Sequence, residues 1–380
     1  MSFKQYELSE VLDFFNGKKR PKEAGKIPVY GGNGIVDYCN DFNTEGENII
    51  IGRVGAYCGN VNLYKDKCWI SDNAILAKAK TGFDNTYMYY SLINENLYNL
   101  RIGSSQPLIT QSTLKKVKVN LPEYSEQKAI TKILSDLDEK IETNNKINKK
   151  LEEMAQAIFK QWFIDFEFPN EDGKPYKSSG GEMVESERGM IPKGWEVVKL
   201  QDIGNLTMGL SPKSESYNAI GEGTPLLNGA ADFYGGLIKA TKYTTKETRV
   251  CKKNDLVFCI RATIGNITFA DKEYCLGRGV ASIESKKNLY VGIIYMNLSR
   301  SIERLKAQAT GSVILGLSKP DINDMKLILP TKEILNKYSD IFKNAFDKKH
   351  ILELENDKLI NLRNTLLPKL MSGEIRVPID

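Results

Sequence analysis

The stretch GSSQPLITQSTLKKVKVNLP, Gly103 to Pro122, lies without a gap beside GSVILGLSKPDINDMKLILP, Gly311 to Pro330. Gly103, Ser104, Lys118, Leu121 and Pro122 meet identical residues, and Ile109, Thr110, Leu114, Val117 and Val119 meet similar ones. A sequence that repeats within one chain signals a duplicated structure, and the period here far exceeds that of a solenoid unit. Outward from this block the register carries on, with Asn148, Lys150 and Leu151 beside Asn356, Lys358 and Leu359. Upstream, YELSEVLDFFN from Tyr6 stands beside WEVVKLQDIGN from Trp195, Arg53 beside Arg261, and Gly59-Asn60 beside Gly265-Asn266. The segments between these landmarks differ in length and sequence. A shared frame with a divergent interior points to one scaffold that reads two different targets.

Residues 1–122 hold short apolar runs broken by glycine, among them NIIIGRVGAYCGNVNLY and CWISDNAILAKA, with one helical pattern near Thr86 to Leu100. That composition reads as an α+β domain with a mainly β core. Over 123–168, Ile130, Leu134, Leu137, Ile141, Asn144, Asn148, Leu151, Ala155, Ile158 and Trp162 recur at alternating steps of four and three, a coiled-coil seam. The two asparagines are expected to set its register, because a buried amide is satisfied only by a partner placed opposite. Residues 169–194, dense in glycine, proline, serine and charge, read as a linker. The β-rich pattern returns over 195–330, with LVFCI, GNITFA and MKLILP as strands. A second long helix is expected over 331–375. It carries Ile341, Phe342, Ala345, Leu352, Asn356, Leu359, Leu362 and Leu366 on its apolar side, and Pro368 and Gly373 end it. Each helix would measure about 60 Å at 1.5 Å per residue. Paired antiparallel, the two would hold the β-rich domains at opposite ends of a rod.

A chain of 380 residues with 41% hydrophobic and 27% charged residues suits a globular protein of two or three domains. The 53 basic and 48 acidic residues leave a net charge of only +5, so clustering says more than the total. Lys18, Lys19, Arg20, Lys22 and Lys26 face only Glu23, and Lys239, Lys242, Lys246, Arg249, Lys252 and Lys253 face only Glu247. A solvated face would give any one such run; matching runs in both halves favour phosphate contact. Six cysteines without a CxxC pair and a single histidine, His350, argue against a zinc site and read as reduced, mostly buried thiols. No apolar signal core opens the chain, and no stretch approaches the roughly 20 apolar residues of a membrane span, so secretion and membrane insertion are disfavoured.

Catalytic signatures are missing. There is no GxxxxGK[ST] loop, the glycines of Gly31-Gly32-Asn33-Gly34 lack the third glycine of a dinucleotide fingerprint, and no Asn-Pro-Pro or Asp-Pro-Pro motif occurs. Pro320-Asp321 followed by Asp347-Lys348-Lys349 imitates a nuclease set, yet the triplet falls in the long helix instead of on a strand. What remains suits recognition. Tyr30, Gly31, Gly32 and Asn33 fit a loop pressed against a phosphate backbone or base edge, and equally a glycine-rich hairpin. The turn at Ser104, Ser105 and Gln106, with its counterpart Thr310 and Ser312, offers hydroxyls, amides and free N–H groups beside basic strands. Gln106 suits adenine, and Arg53 or Arg261 suits guanine, although Arg53 in an apolar strand also suits a structural salt bridge. Lys18, Lys19, Arg20, Tyr57, Lys213, Asn228 and Arg278 complete the DNA-binding candidates. No catalytic or metal-ligating residue is assigned.

IPKGWEVVKLQDIG (Ile191 to Gly204), the Gly103–Pro122 block, SEQKAITKILSDLDEKIETNNKINKKLEEMAQAIFKQWF (Ser125 to Phe163) and LRNTLLPKLMSGEIRV (Leu362 to Val377) together resemble the DNA-specificity (S) subunits of type I restriction-modification enzymes, over essentially the whole chain. The resemblance implies two β-rich target recognition domains, 1–122 and 195–330, joined by two long antiparallel coiled-coil helices in a pseudo-two-fold internal repeat. It implies a non-catalytic subunit whose domains each read half of a bipartite site in double-stranded DNA, with the helices as a ruler. Two methyltransferase (M) subunits and restriction (R) subunits are the implied protein partners, and Asn144, Asn148, Phe159, Trp162, Phe163, Leu366 and Leu367 the candidates to meet them. No cofactor is implied for this chain; S-adenosylmethionine, ATP and Mg belong to the partners, and the location is cytoplasmic. A coiled-coil scaffold without DNA reading, and a fused DNA methyltransferase or nuclease, stay open as alternatives.

Overall fold

The computed structural model describes residues 3–103, 107–261, 263–308 and 316–378. The chain divides into two compact units, Met1–Ile141 with Lys358–Asp380, and Glu142–Asp357. Both are α+β, and each builds the same framework.

In the first unit an antiparallel sheet sets Leu12–Asn16, Ala74–Ala79, Asn48–Gly52 and Val61–Tyr64 side by side. Asn48–Gly52 reads NIIIG and is buried along its whole length, as a short continuous apolar run should be. The second unit repeats this order with Gly204–Met208, Val280–Ser285, Leu256–Cys259 and Gly265–Phe269. Each unit also pairs two of its strands in parallel, Val29 opposite Trp69 in the first and Leu226 opposite Cys275 in the second. The repeated block folds alike in both: helix Gln111–Lys115 and strand Lys118–Leu121 in one, helix Lys319–Asn323 and strand Lys326–Leu329 in the other. Each of these strands pairs with its unit's opening strand, Lys4–Glu7 or Glu196–Lys199.

This pairing corrects two alignments. The opening strands and the one-turn helices Leu8–Val11 and Leu200–Ile203 make Leu8 answer Leu200 and Val11 answer Ile203, so Phe3 answers Trp195, three residues from the expected Tyr6. An aromatic letter match misled, whereas the buried aliphatic pair fixes the register. Likewise, Arg53 N–H donates to Asn73 O and Ile260 N–H to Gly279 O, both at 2.9 Å. Arg53 therefore answers Ile260, and Arg261, bridged to Gly316 as Val54 is to Leu108, answers Val54. A slip of one residue turns a strand side chain to the other face.

The long helices span Tyr124–Phe163 and Lys332–Ser372. Within each unit they pair antiparallel. In the first, Arg363 donates to Asp138 at 2.6 Å, and Ile130 and Leu134 share a core with Leu367, Leu370 and Met371. In the second, Asn144 meets Asn356, and Phe159 lies 6.0 Å from Tyr338. All ten expected seam positions from Ile130 to Trp162 are buried or half-buried. Leu362, however, is 47% exposed and leaves the apolar side. Pro368 does not end its helix but sits inside it. Burial of Leu367, Leu370 and Met371 offsets the roughly 3 kcal/mol that an internal proline costs. Gly373, at φ 76°, closes the helix.

Residues 169–194 are folded and not an open linker. Met183–Ser186 pairs with Gly189–Pro192, Phe168 stacks on Tyr176 at 4.5 Å and on Trp195 at 4.9 Å, and Ile191 is buried in the second unit's core. The helix-end residues expected to face partners are also used internally. Phe159, Trp162 and Phe163 belong to the second unit's core, Leu367 to the first unit's, with Leu366 packed against it, and Asn144 and Asn148 are buried. An apolar helix end reads the same whether it covers the chain's own core or another chain. Among the described residues no helix is long and apolar enough to cross a membrane.

Candidate nucleic-acid interface

In each unit several strand ends converge on one rim, and a glycine makes the closest crossing possible. After Leu12–Asn16, Gly17 N–H donates to Ala74 O at 3.2 Å and Lys18 N–H to Ile70 O at 2.9 Å. A Cβ on Gly17 would lie 1.8 Å from Ser71 O, so no other residue fits. Ser71 N–H then donates to Tyr30 O at 2.9 Å, and Arg53 N–H to Asn73 O. Backbone hydrogen bonds thus bring together Lys18, the Tyr30–Asn33 turn, Arg53 and the Ser71–Asn73 turn. The side chains of Lys18, Lys19, Arg20, Asn33 and Tyr57 are exposed there. A groove of about 490 Å³, lined by Lys19, Arg20, Lys22, Asp37, Tyr38 and Asp72 among others, runs along this rim.

The second unit makes the same crossing. Gly209 N–H donates to Val280 O at 3.0 Å, and a Cβ there would lie 2.1 Å from Gly277 O. Gly277 N–H donates to Leu227 O at 2.7 Å, and Arg278 N–H to Ser211 Oγ at 3.2 Å. Lys213, Asn228, Arg261 and Arg278 are exposed in this neighbourhood. Asp72 in the first unit answers Arg278 in the second, since Ala74–Ala79 answers Val280–Ser285, so the two rims differ in charge at a matched position.

Most sequence candidates therefore gather on one rim or the other. Tyr30 does not: its ring is buried with Ile50, Cys68 and Ile70, 5.2 Å from Tyr64, and burial pushes its hydroxyl well above the usual range. Gly31 is likewise buried, and Gly32 half-buried. Arg20 forms an exposed ion pair with Asp37. Among the described residues no carboxylate pairs with Arg53 or Arg261. Ser104, Ser105, Gln106, Thr310 and Ser312 lie outside the described residues. Sequence reading missed the Ser71–Asn73 turn. Its signal was present, a Ser-Asp-Asn run between two apolar stretches.

Among the described residues no group of three His, Cys, Asp or Glu is placed to hold a metal ion, and all six cysteines are buried. Burial pushes the Cys68, Cys251 and Cys259 thiols up to about 12.

The description of the type I restriction modification DNA specificity domain matches this chain twice, over residues 2–153 and 192–363. The chain belongs to the type I restriction-modification specificity family. It is 33% identical over 314 residues to the putative type I restriction enzyme MjaX specificity subunit of Methanocaldococcus jannaschii, covering 80% of this chain and 71% of that one. To the type I restriction enzyme HindI specificity subunit of Haemophilus influenzae it is 25% identical over 355 residues, covering 77% and 75%. The crystal structure of a type I restriction-modification system S subunit from M. genitalium shares the fold at a TM-score of 0.64 and 19% identity, over 97% of this chain and 96% of that one. Specificity subunits are non-catalytic and work in complexes with methyltransferase and restriction subunits. As an S subunit the chain recognises DNA, and the fused-enzyme reading falls away.

Proposed function

We propose that this specificity subunit reads a split site in double-stranded DNA, one half with each rim. The observation that carries this reading is a single glycine-dependent crossing built twice and dressed differently. Exposed Lys18, Lys19, Asn33, Tyr57 and Asp72 belong to the first rim, and exposed Lys213, Asn228, Arg261 and Arg278 to the second. Phosphate contacts position a protein and base contacts specify the sequence. Lys18, Lys19 and Lys213 suit phosphates, Asn33 and Asn228 suit adenine N6 and N7, and Arg261 and Arg278 suit guanine O6 and N7. The long helices act as an antiparallel coiled coil that sets the distance between half-sites, in the way that a rigid separator sets half-site spacing in dimeric DNA readers.

Two methyltransferase subunits dock on this frame and methylate adenine with S-adenosylmethionine. Restriction subunits that use ATP and Mg join them, and the complex works in the cytoplasm. Replacing residues 195–330 with the corresponding segment of another family member tests the reading. In a methylation assay with the methyltransferase partner, the bases of one half-site should change and those of the other persist; a change in both halves, or in neither, contradicts it.

A further inference from the structure

The second unit carries a segment that the first does not have. The first joins strands Ala24–Gly31 and Gly34–Cys39 through Gly32 and Asn33 alone. The second passes from Thr224–Leu227 to Lys242–Thr244 by way of a ribbon, Phe233–Tyr234 paired with Leu237–Ile238. The ribbon is braced at its base and tip. Asp232 Oδ2 accepts from Asn228 N–H at 2.7 Å and Gly229 N–H at 3.1 Å, Lys239 N–H donates to Asp232 O at 2.7 Å, and the Thr268 hydroxyl donates to Gly236 O. Its outer side meets the helix Lys332–Ser372. Lys239 Nζ pairs with Asp357, and a Cβ on Gly236 would lie 2.0 Å from Glu353 Oε1. Glu353 is nearly buried and held by Lys349 at 3.1 Å.

The same helix already joins the second unit's core through Leu335, Tyr338 and Phe342, with Phe346 stacked on Phe342 at 4.1 Å. From Phe346 to Asp357 is about 16 Å at 1.5 Å per residue. A domain held only at its core end can rock about that end. A second attachment this far along the helix removes the freedom. The first unit has a polar tie elsewhere: Tyr90 Oη donates to Asp138 Oδ2 at 2.7 Å, and Arg363 to Asp138 Oδ1 at 2.6 Å. Under the repeat register, Met296, Phe346 and Ala155 stand at those positions in the second unit, so that tie has no counterpart there.

We infer that the Lys239–Asp357 pair, with Gly236 seated on Glu353, fixes the angle at which the second rim is presented, and that Lys239, Gly236 and Asp357 are positioning residues for half-site spacing. The inference rests on the split-site reading proposed above. One base pair shifts a half-site by about 3.4 Å along the duplex, so slight rocking suffices to admit a wrong spacing.

The test uses the full chain assembled with its methyltransferase partners and duplexes carrying both half-sites at the native separation or one base pair shorter or longer. Lys239→Ala and the near-isosteric Asp357→Asn should each raise methylation at the wrong spacings, relative to the native one, by about threefold to fivefold, the scale of one partly buried ion pair. Base preferences within each half stay unchanged. Lys239→Arg should keep the wild-type ratio, and Lys239→Asp combined with Asp357→Lys should restore it. Should the wild-type complex methylate no split motif, the split-site reading itself fails. Should it methylate only the native spacing while both folded single variants keep its ratio, the positioning role is overturned.

Discussion

Asn144 donates to Asn356 Oδ1 at 2.9 Å across the paired helices, and Asn356 donates in turn to Asn145 Oδ1 at 2.8 Å. Asn144 is fully buried and Asn356 is 7% exposed. The Asn144 Nδ2 group also donates to Glu355 Oε2 at 2.8 Å, so it finds both its partners only when the helices hold this register. Asn144 Oδ1 has no partner among the described residues. Asn148, the other asparagine expected on the seam, is buried too, and its Oδ1 has no partner among the described residues. Asn356→Ala should cost about 1 kcal/mol, because the buried Asn144 Nδ2 loses one of its two partners, while the exposed Asn145 can turn to water. Replacing both Asn144 and Asn356 with leucine should recover stability in a denaturant melt, since apolar pairs of similar size replace buried polar ones at little cost. A double variant no more stable than the single would contradict this.

Gly17 and Gly209 stand at matched crossings, each with a carbonyl where a Cβ would be. Gly17→Ala should lower local stability by about 2–3 kcal/mol, through forced backbone shifts. By hydrogen exchange, Leu12–Asn16 and Ala74–Ala79 should lose protection while Gly204–Met208 and Val280–Ser285 keep theirs. Gly209→Ala should give the reverse pattern.

Asp84 joins the first unit's sheet domain to the helix Tyr124–Phe163. Its carboxylate caps helix Asn85–Asn94 by accepting from Tyr87 N–H at 2.7 Å, accepts from Thr131 Oγ1 at 2.9 Å, and pairs with Lys128 at 3.2 Å. Asp84→Ala should cost about 2 kcal/mol from the lost cap and the unpaired neighbours. Thermal unfolding of the variant beside Asp84→Asn, which keeps a capping oxygen, should place the asparagine variant between alanine and wild type.

Buried thiols make a pH prediction. The folded Cys68, Cys251 and Cys259 thiols ionise near 12, whereas an unfolded thiol ionises near about 8.5. A folded value raised in this way adds stability that is complete below the ordinary thiol range and is lost as pH rises beyond it. Stability should therefore decline from about pH 8.5 upward. A thiol reagent should label native protein slowly at pH 8 and label all six cysteines in denaturant. Rapid native labelling would contradict the burial.

Basic side chains on the rims should appear in the salt dependence of DNA binding. Lys18→Ala or Lys213→Ala should lower the slope of log affinity against log salt by about 0.9, if each lysine neutralises one phosphate. Arg278→Ala should instead relax base choice in one half-site.

How much of this was legible in sequence depends on what each residue does. The repeat could be read because Leu114, Val119 and Leu121, with Ile322 and Leu327, occupy core positions where only apolar side chains fit. Helix seams could be read because burial imposes a period. The rims could be read only in part: backbone hydrogen bonds between distant strand ends bring Lys18, Arg53 and Ser71 together, and such bonds leave little trace in residue type. Tyr30 was misplaced because an aromatic beside glycines suits a surface loop and a small core equally. Residues 169–194 were misread because their fold rests on Phe168, Tyr176 and Trp195 stacked across turns, an arrangement with no period.

Each unit, on the function proposed above, reads one half of a split site. Base-resolved mapping of methylated adenine, in cells with and without this gene, tests it most directly. One motif made of two short specified halves around an unspecified spacer should vanish on deletion. Loss of a single uninterrupted motif would contradict the claim, as would an unchanged map in cells whose methyltransferase partner is active.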